Sequence, residues 1–201
     1  MTVAPAIGVL AVQGDVREHL HALQAVGAAA RAVGDTEALA SVQGLVIPGG
    51  ESTTISKLIV RDGLLHPLRE ARAAGLPMYG SCAGMIMLAD EVLDGRPDHE
   101  GVGGLAVTVR RNAFGRQVDS FEADVPVRGL DGPAFPAVFI RAPWVESVSD
   151  QVDVLARIDR GGVDTIVAVR QGALLATSFH PELTGDHRIH EMFLSIVRQV
   201  S

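Results

Sequence analysis

The first hundred residues alternate between short apolar runs and amphipathic stretches, a pattern that restricts the fold strongly. Ile7–Gln13 and Leu45–Pro48 are typical of buried parallel strands, which are apolar on both faces. Asp15–Val26 has apolar residues at helical spacing and stops at Gly27, and a similar stretch covers Pro67–Ala74. Strands and helices that alternate at this pace predict right-handed βαβ units. The expected fold is therefore α/β, with a mostly parallel central sheet and flanking helices.

From about Gly101 the pattern changes to short strands joined by turns. Asp159–Gly162 is typical of a hairpin turn, and Asp186–Val200 has helical spacing. We find no internal repeat, low-complexity segment or linker, so residues 1–201 are predicted to form a single domain. The six strands predicted in this half are Leu105–Arg110, Ser120–Val127, Ala137–Ala142, Val152–Ile158, Thr165–Arg170 and Ala173–Ser178.

Charge and hydropathy exclude several classes of partner. The formal net charge is −7, which argues against nucleic acid because phosphate binding requires a basic face. No apolar run approaches the roughly 18 to 20 residues that span a bilayer. The N-terminus lacks the basic segment of a signal peptide, so we expect a cytoplasmic protein with no membrane partner.

The cysteine and histidine content limits the metal sites that the chain can build. A single cysteine excludes an internal disulfide and a multi-cysteine metal site. Seven histidines are present, but the close pairs His19/His21 and His187/His190 lack a set of carboxylate or thiolate companions. We therefore expect neither a metal ion nor another cofactor.

The lone cysteine lies in a segment that predicts a nucleophile elbow. Pro77–Ser81 has the pattern of a strand and Ala83–Ala89 that of a helix, and Cys82 stands at their junction within Gly-Ser-Cys-Ala-Gly. A sharp strand-to-helix turn strains the nucleophile's backbone and needs small flanking residues. It also places the sulfur at the positive end of the helix, and it directs the N–H of Ala83 toward an oxyanion. A lone cysteine is more often a buried apolar residue, but the flanking glycines favour the catalytic interpretation.

A base for this thiol follows the last predicted strand. His180 and Glu182 come directly after an apolar run, and catalytic groups of open α/β sheets collect at the carboxyl ends of strands. Residues two apart on an extended chain project to the same side, so Glu182 is expected to reach and orient the imidazole. In isolation such a pair is more often a surface contact. Together with the elbow it predicts a Cys82–His180–Glu182 triad.

A second oxyanion donor is expected at the diglycine turn after Leu45–Pro48. Glycines at the end of a strand permit close backbone approach to a ligand, so the N–H of Gly50 is the candidate partner of Ala83. A phosphate-binding loop is disfavoured, because the segment matches no glycine-rich phosphate motif and Lys57 lies too far along the helix.

These segments, in this order, resemble the class I (triad) glutamine amidotransferase domain. The likeness is narrower than the class: five stretches strongly resemble the glutaminase-subunit family of pyridoxal 5′-phosphate synthase, and the match runs from about Ile7 to the C-terminal helix. The five stretches are AVQGDVREH (11–19), PGGESTT (48–54), RNAFGRQ (111–117), FIRAP (139–143) and SFHPELT (178–184).

The resemblance implies a three-layer fold, a reaction and a partner. Cys82 would attack the side-chain amide of glutamine, and His180 would protonate the departing ammonia and later activate water. The ammonia would pass to a separate (β/α)8-barrel synthase subunit in a hetero-oligomer, with glutaminase activity low until that subunit docks. An arginine suits the α-carboxylate of glutamine, although it could instead form an ion pair. The residues that the resemblance places around glutamine and the oxyanion are Gly50, Glu51, Ser52, Arg111, Ile140 and Arg141.

Several alternatives remain open at this stage. The chain could be the glutaminase of another biosynthetic amidotransferase, such as imidazole glycerol phosphate synthase, although PGGESTT and RNAFGRQ disfavour this. A non-catalytic binding module would be expected to have lost a triad member, and none is lost. A cysteine peptidase or redox protein would need a different histidine context. Trp144 is expected to be a core residue, with an exposed docking role as the alternative.

Overall fold

The strands that carry the predicted site form a parallel group in a large sheet. The computed structural model describes residues 4–111 and 120–200. Elements are numbered in chain order, and the parallel strands are β1 (Ala6–Leu10), β2 (Ala29–Val33), β3 (Gly44–Ile47), β4 (Met78–Ser81) and β12 (Leu174–Thr177). They lie in the order β2-β1-β3-β4-β12, and each pair of neighbours is parallel.

A second group of strands continues the sheet beyond β12, mainly by antiparallel pairing. It contains β5 (Ala89–Leu93), β6 (Leu105–Arg110), β9 (Trp144–Val148), β10 (Asp153–Asp159) and β11 (Asp164–Gln171). The order from β12 is β11-β9-β6-β5, with β10 paired to β11. Outside this sheet, β7 (Ser120–Val125) and β8 (Phe135–Ile140) form an antiparallel hairpin.

In the described residues, six helices and one 3-10 turn cover the sheet or join its strands. Within the described residues every helix is too short or too polar to cross a lipid bilayer. Side-chain caps fix two of the helix starts, because Asp35 accepts the N–H of Ala38 and Glu51 accepts the N–H groups of Thr53 and Thr54. The helices are α1 (Val16–Ala25), α2 (Thr36–Ala40), α3 (Ser52–Arg61), α4 (Leu65–Ala73), α5 (Ala83–Leu88) and α6 (Arg188–Val200), and the 3-10 turn is Pro181–Leu183.

The alternation of side chains along each strand separates two hydrophobic cores, one on each face of the sheet. In β3, Leu45 and Ile47 pack into one core and Val46 into the other. The first core is covered by α2 to α5, and the second by α1, α6 and the β7–β8 hairpin. Trp144 packs at the edge of the second core, where its Nε1–H donates to Glu146 and Arg160 stacks over the ring. The expected core role of Trp144 thus holds only in part.

The predicted fold class, α/β with a mostly parallel sheet and flanking helices, is confirmed. Three short elements were missed: α2, β5 and β9. The first has a single buried residue, Leu39, and therefore lacks an amphipathic pattern. The other two lie at or near the far edge of the sheet, where Glu91 and Glu146 are exposed, and so resemble loops in sequence. The extent of one domain over residues 1–201 stays a prediction.

Candidate active site

Cys82 occupies a strained turn between β4 and α5. Its backbone has φ 48° and ψ −103°, a positive φ that non-glycine residues rarely adopt. The Cys82 N–H donates to the carbonyl of Thr177 at 2.8 Å, which ties the turn to β12. The flanking glycines are sterically required, because a Cβ on Gly80 would lie 2.8 Å from the N of Met85, and one on Gly84 would overlap the Ile47 carbonyl group. The turn therefore has the geometry expected of a nucleophile elbow.

His180 is buried beside this turn and is 5% exposed. It follows β12 directly, and its backbone N–H donates to the carbonyl of Val138 at 2.8 Å, which anchors it to β8. The imidazole lies against Gly49, where a Cβ would stand 2.8 Å from Nδ1 and closer still to Cε1. The first glycine of the diglycine turn thus makes room for the ring.

Glu182 contacts His180 as the sequence predicted, but the local backbone is different. The Oε1 atom of Glu182 lies 2.7 Å from His180 Nδ1. The sequence interpretation assumed an extended chain through Pro181, whereas Pro181–Leu183 form a 3-10 turn. Proline supplies the φ that suits the first position of such a turn, so the chain curls and brings the carboxylate back under the ring. The predicted contact is present, and the extended conformation is wrong.

Two carboxylates face the same nitrogen of His180. Asp15 Oδ2 lies 3.4 Å from Nδ1, in addition to the 2.7 Å contact with Glu182. Burial lowers the pKa of the imidazole, but hydrogen bonds with Asp15, Cys82 and Glu182 outweigh this and raise the pKa to about 12. Burial raises the pKa of Glu182 above its usual range. The site thus favours an imidazolium beside the Cys82 sulfur, the arrangement that stabilises a thiolate.

A cavity of about 490 Å³ opens over Cys82, a volume within the range of pockets that bind small molecules. Every predicted site residue except Glu182 lines it, and Glu182 lies behind His180. The lining residues are Gln13, Asp15, Gly50, Glu51, Ser52, Cys82, Ala83, Ile86, Arg111, Ile140, Arg141, Pro143, His180 and Leu183.

Charged residues of both signs meet at one side of the cavity. Arg111 Nη2 donates to Glu51 Oε1 at 3.2 Å and to Thr53 Oγ1 at 3.0 Å. Glu51 also accepts from the N–H and hydroxyl of Thr54. Partial burial raises the pKa of Glu51, but the hydrogen bonds from Thr54 and Thr53 lower it overall, so this carboxylate is ionised at neutral pH. Arg111 therefore forms the ion pair that the sequence left open, while still lining the cavity.

The end of β8 and the residues after it also line the cavity. The carbonyl oxygen of Ile140 lies 3.9 Å from Cys82 Sγ. Arg141 has a positive φ of 42° and an exposed side chain. This second strained residue turns the chain so that Ile140 and Arg141 both face the cavity. Residues 112–117 of the RNAFGRQ stretch lie outside the described residues.

Comparison with known proteins identifies the family. The model of the SNO glutamine amidotransferase family matches residues 9–199, nearly the whole chain. The chain belongs to the SNO glutamine amidotransferase family. The family expected from the sequence motifs is thus confirmed.

Individual proteins are similar to this chain along nearly their whole length. A protein of Parafrankia sp. (strain EAN1pec), named pyridoxal 5′-phosphate synthase subunit PdxT, is 64% identical over 97% of this chain and 94% of its own. One of the same name from Rhodococcus jostii (strain RHA1) is 60% identical over 98% of both chains. A crystal structure titled glutamine amidotransferase superposes with a TM-score of 0.87 at 47% identity, covering 96% of this chain and 98% of the other.

Three residues of the site region belong to the AVQGDVREH stretch, but the sequence predicted no role for them. Gln13 Oε1 accepts the N–H of Glu51 at 2.9 Å, and Asp15 faces His180. His19 is fully buried and lies 3.4 Å from Glu182. The signal available in sequence was their place in one stretch directly after β1, whose carboxyl end meets those of β3, β4 and β12.

One group of side chains in the described residues has the spacing of a metal site. Asp15, His180 and Glu182 place ligand atoms within 4.8 Å of one another. Two of the three are the residues assigned to the triad, and the hydrogen bond between them accounts for their proximity. The expectation that the protein uses no metal stays a prediction.

Proposed function

We propose that this chain hydrolyses L-glutamine to L-glutamate and ammonia and supplies the ammonia to a synthase subunit of pyridoxal 5′-phosphate synthase. The observation that carries the proposal is the strained Cys82 elbow, with His180 beside it in one cavity and Glu182 hydrogen-bonded to the imidazole from behind. Membership of a glutamine amidotransferase family, and the synthase-subunit names of its relatives, support the same activity. The cytoplasmic location stays a prediction.

The charges of the cavity suit the amino-acid end of glutamine. A free amino acid carries a carboxylate and an ammonium group on one carbon, and the cavity offers Arg111 and Arg141 as cations and Glu51 as an anion. Glu51 and Arg111 are paired with one another, so binding of the substrate would exchange this exposed ion pair for contacts with the two charges of glutamine. Such an exchange conserves the charge balance of the site, which favours a zwitterionic ligand over a simple anion.

The first half of the reaction would form a thioester. Cys82 Sγ, ionised by proton transfer to His180, attacks the side-chain carbonyl carbon of glutamine. The carbonyl oxygen becomes an oxyanion, which the N–H groups of Ala83 and Gly50 would stabilise. His180 then donates its proton to the nitrogen as the carbon–nitrogen bond breaks, which releases ammonia and leaves a γ-glutamyl thioester on Cys82.

The second half would return the enzyme to its starting state. His180, now neutral, removes a proton from a water molecule, and the resulting hydroxide attacks the thioester carbonyl. The carbon–sulfur bond breaks, glutamate leaves and Cys82 is regenerated. Through both halves Glu182 would hold the Nδ1–H of His180 and stabilise its charged form, the role that a triad acid plays without taking the proton itself.

The partner expected from the family is a (β/α)8-barrel synthase subunit that receives the ammonia. Leu183 is 44% exposed and lines the cavity, so an apolar contact surface is available at its mouth. A subunit docked there would also cover the cavity and keep ammonia from bulk water.

The experiment is glutamate release from glutamine, measured with and without an added pyridoxal 5′-phosphate synthase barrel subunit. We expect strong activation by that subunit and loss of activity in Cys82→Ala, with folding and subunit binding intact. Robust hydrolysis that is indifferent to the subunit would retain the triad and assign the chain to another amidotransferase. No hydrolysis by folded protein with a competent partner would favour the non-catalytic binding module.

A further inference from the structure

Two histidines that the triad does not use lie directly behind it. His19 on α1 and His190 on α6 are 171 residues apart in sequence, and both are 0% exposed. His19 Nδ1 and His190 Nε2 are 3.0 Å apart, and the ring of Tyr79 meets both imidazoles edge-on. Burying two imidazoles is unfavourable unless their nitrogens find partners. Packing alone therefore does not explain why two imidazoles are buried here.

His19, the histidine of this pair that is nearer to the triad, lies against the carboxylate of Glu182. Oε1 of Glu182 is bound to His180 at 2.7 Å, while Oε2 has no hydrogen-bond partner within the usual limit among the described residues. His19 Nε2 lies 3.4 Å from Oε2. The same nitrogen lies 3.1 Å from the Oγ of Ser81, whose hydroxyl is 3.5 Å from Glu182 Oε1. His19 thus reaches the carboxylate directly and through one serine.

The partners of each ring favour one position for its proton. Burial lowers the pKa of both histidines, that of His190 to about 3, so each is neutral at pH 7 and has one N–H. If His190 donates from Nε2 to His19 Nδ1, then His19 donates from Nε2 toward Glu182 and Ser81. His190 Nδ1 is then a bare acceptor, in agreement with its lack of a partner among the described residues.

The opposite arrangement of protons is unfavourable at both ends. It would leave a buried N–H on His190 Nδ1 without an acceptor, and orphaned N–H groups are rarer in proteins than orphaned acceptors. It would also point the lone pair of His19 Nε2 at a carboxylate, which itself only accepts. The chain of donors therefore runs from His190 through His19 to Glu182.

We propose that His19 is a positioning residue of the triad: its Nε2–H holds the Glu182 carboxylate ionised and aimed at His180, and His190 fixes the tautomer that makes this possible. The inference rests on the proposed role of the triad. The charged and titratable groups that face Glu182 are His180 beside it, Asp15 and His19 from α1, and Tyr79 from β4. Of these, His19 is the neutral N–H donor nearest the free oxygen, and without it burial would favour protonation of the carboxylate.

Two substitutions of His19 separate this role from simple packing. His19→Gln puts an amide N–H where Nε2 lies, and His19→Met has a similar length with no donor. With the synthase subunit present, we expect His19→Met to lower kcat for glutamine about 10- to 100-fold with little change in KM. The kcat of His19→Gln should stay within about 3-fold of the wild-type kcat. His21→Met, on the exposed side of the same helix, is the matched control.

A second readout needs no glutamine. Cys82 is the only cysteine of the chain, so the rate of iodoacetamide alkylation reports on this one thiol. We expect the pH at which alkylation reaches half its maximum to rise in His19→Met and to stay near the wild-type value in His19→Gln. The effect of His19→Met should disappear in a Glu182→Gln background, since the two residues act through one contact. A His19-dependent alkylation profile in a protein that does not hydrolyse glutamine would keep this inference and reject the proposed function.

Three results would overturn the inference. The first is an equal loss of kcat in His19→Met and His19→Gln. The second is a His19→Met variant with the wild-type kcat and the wild-type pH profile of alkylation. The third is an effect of His19→Met that is as large in the Glu182→Gln background as in the wild type. If His19→Met fails to fold, nitrogen-15 NMR of the wild-type histidines decides instead. Protonation at Nε2 of both His19 and His190 is expected, and protonation at Nδ1 of either ring would refute the proposed chain of donors.

Discussion

The contact between Gly49 and the imidazole of His180 makes Gly49→Ala a sharp test of the site. The new Cβ would stand 2.8 Å from Nδ1 and closer still to Cε1, whereas non-bonded heavy atoms of this kind settle at about 3.5 Å or more. The ring must therefore retreat by about 1 Å on this scale. Its 2.7 Å hydrogen bond to Glu182 would then approach or pass the usual limit.

The expected consequence is a loss of catalysis with a modest loss of stability. A misplacement of about 1 Å in a catalytic group lowers the rate by about 10²-fold. Overpacking a well-packed site destabilises by about 1 to 3 kcal/mol, which corresponds to a fall in Tm of several degrees for a chain of 201 residues. The folded protein should therefore be recoverable at room temperature.

The assay combines steady-state glutamine hydrolysis, with a saturating synthase subunit, and iodoacetamide alkylation of Cys82. Gly34→Ala is the matched control, because a Cβ at Gly34 meets no atom within 4 Å. A Gly49→Ala enzyme with the kcat and alkylation rate of the control would refute the argument that Gly49 fixes the position of the imidazole.

Four further substitutions test charged and titratable groups in the site and behind it. Glu182→Gln keeps the shape of the side chain but removes its charge, so kcat should fall about 10³-fold or more. Asp15→Asn should lower kcat less than about 10-fold, because Asp15 is a third exposed and its contact with His180 is longer. Steady-state kinetics compares the Glu182→Gln and Asp15→Asn variants. A larger loss of kcat in Asp15→Asn would exchange the roles of the two carboxylates. Arg111→Ala should raise KM for glutamine about 10- to 100-fold with kcat nearly unchanged, and a fall in kcat alone in the saturation curve would contradict a binding role. Burial lowers the pKa of His190 to about 3, so its stabilising contribution is complete above about pH 6.5, the unfolded pKa, and is lost as the pH falls toward 3. His190→Met should therefore flatten the acid-side loss of unfolding free energy by about 1.4 kcal/mol per pH unit between pH 6 and 4, and equal slopes in urea titrations would show that His190 is not buried neutral.

The elements that sequence predicted well are those whose burial pattern is strong within a few residues. The parallel strands β1, β3, β4 and β12 are short apolar runs, and β2 has the predicted bounds Ala29–Val33. Helix α6 has a broad apolar face, and the structure starts it at Arg188, two residues after the predicted Asp186. Bounds shifted because the ends of elements depend on hydrogen bonds with other segments, which a local pattern does not contain.

The order of the strands could not be obtained from local patterns. β12 lies between β4 and β11 although β4 is far from it in sequence, and this placement brings His180 to the Cys82 turn. Similarly, the pairing of β5 with β6 and of β6 with β9 depends on long-range contacts. The strand propensity of each separate segment is too weak to predict these pairings.

The sequence by itself identified the candidate nucleophile and its candidate base. The glycines on both sides of Cys82 are needed because backbone segments approach closely at this turn. This steric requirement is local, so it can be recognised in the sequence. Proline between His180 and Glu182 likewise restricts a short segment, although it produced a 3-10 turn and not the extended chain expected. Only the tertiary structure decided that Asp15 shares His180 with Glu182, that Arg111 pairs with Glu51, and that His19 meets His190 across 171 residues. Hydrogen bonds between buried side chains depend on which elements pack together. Packing is a property of the whole chain, and a local sequence pattern does not specify which distant segment will pack against it.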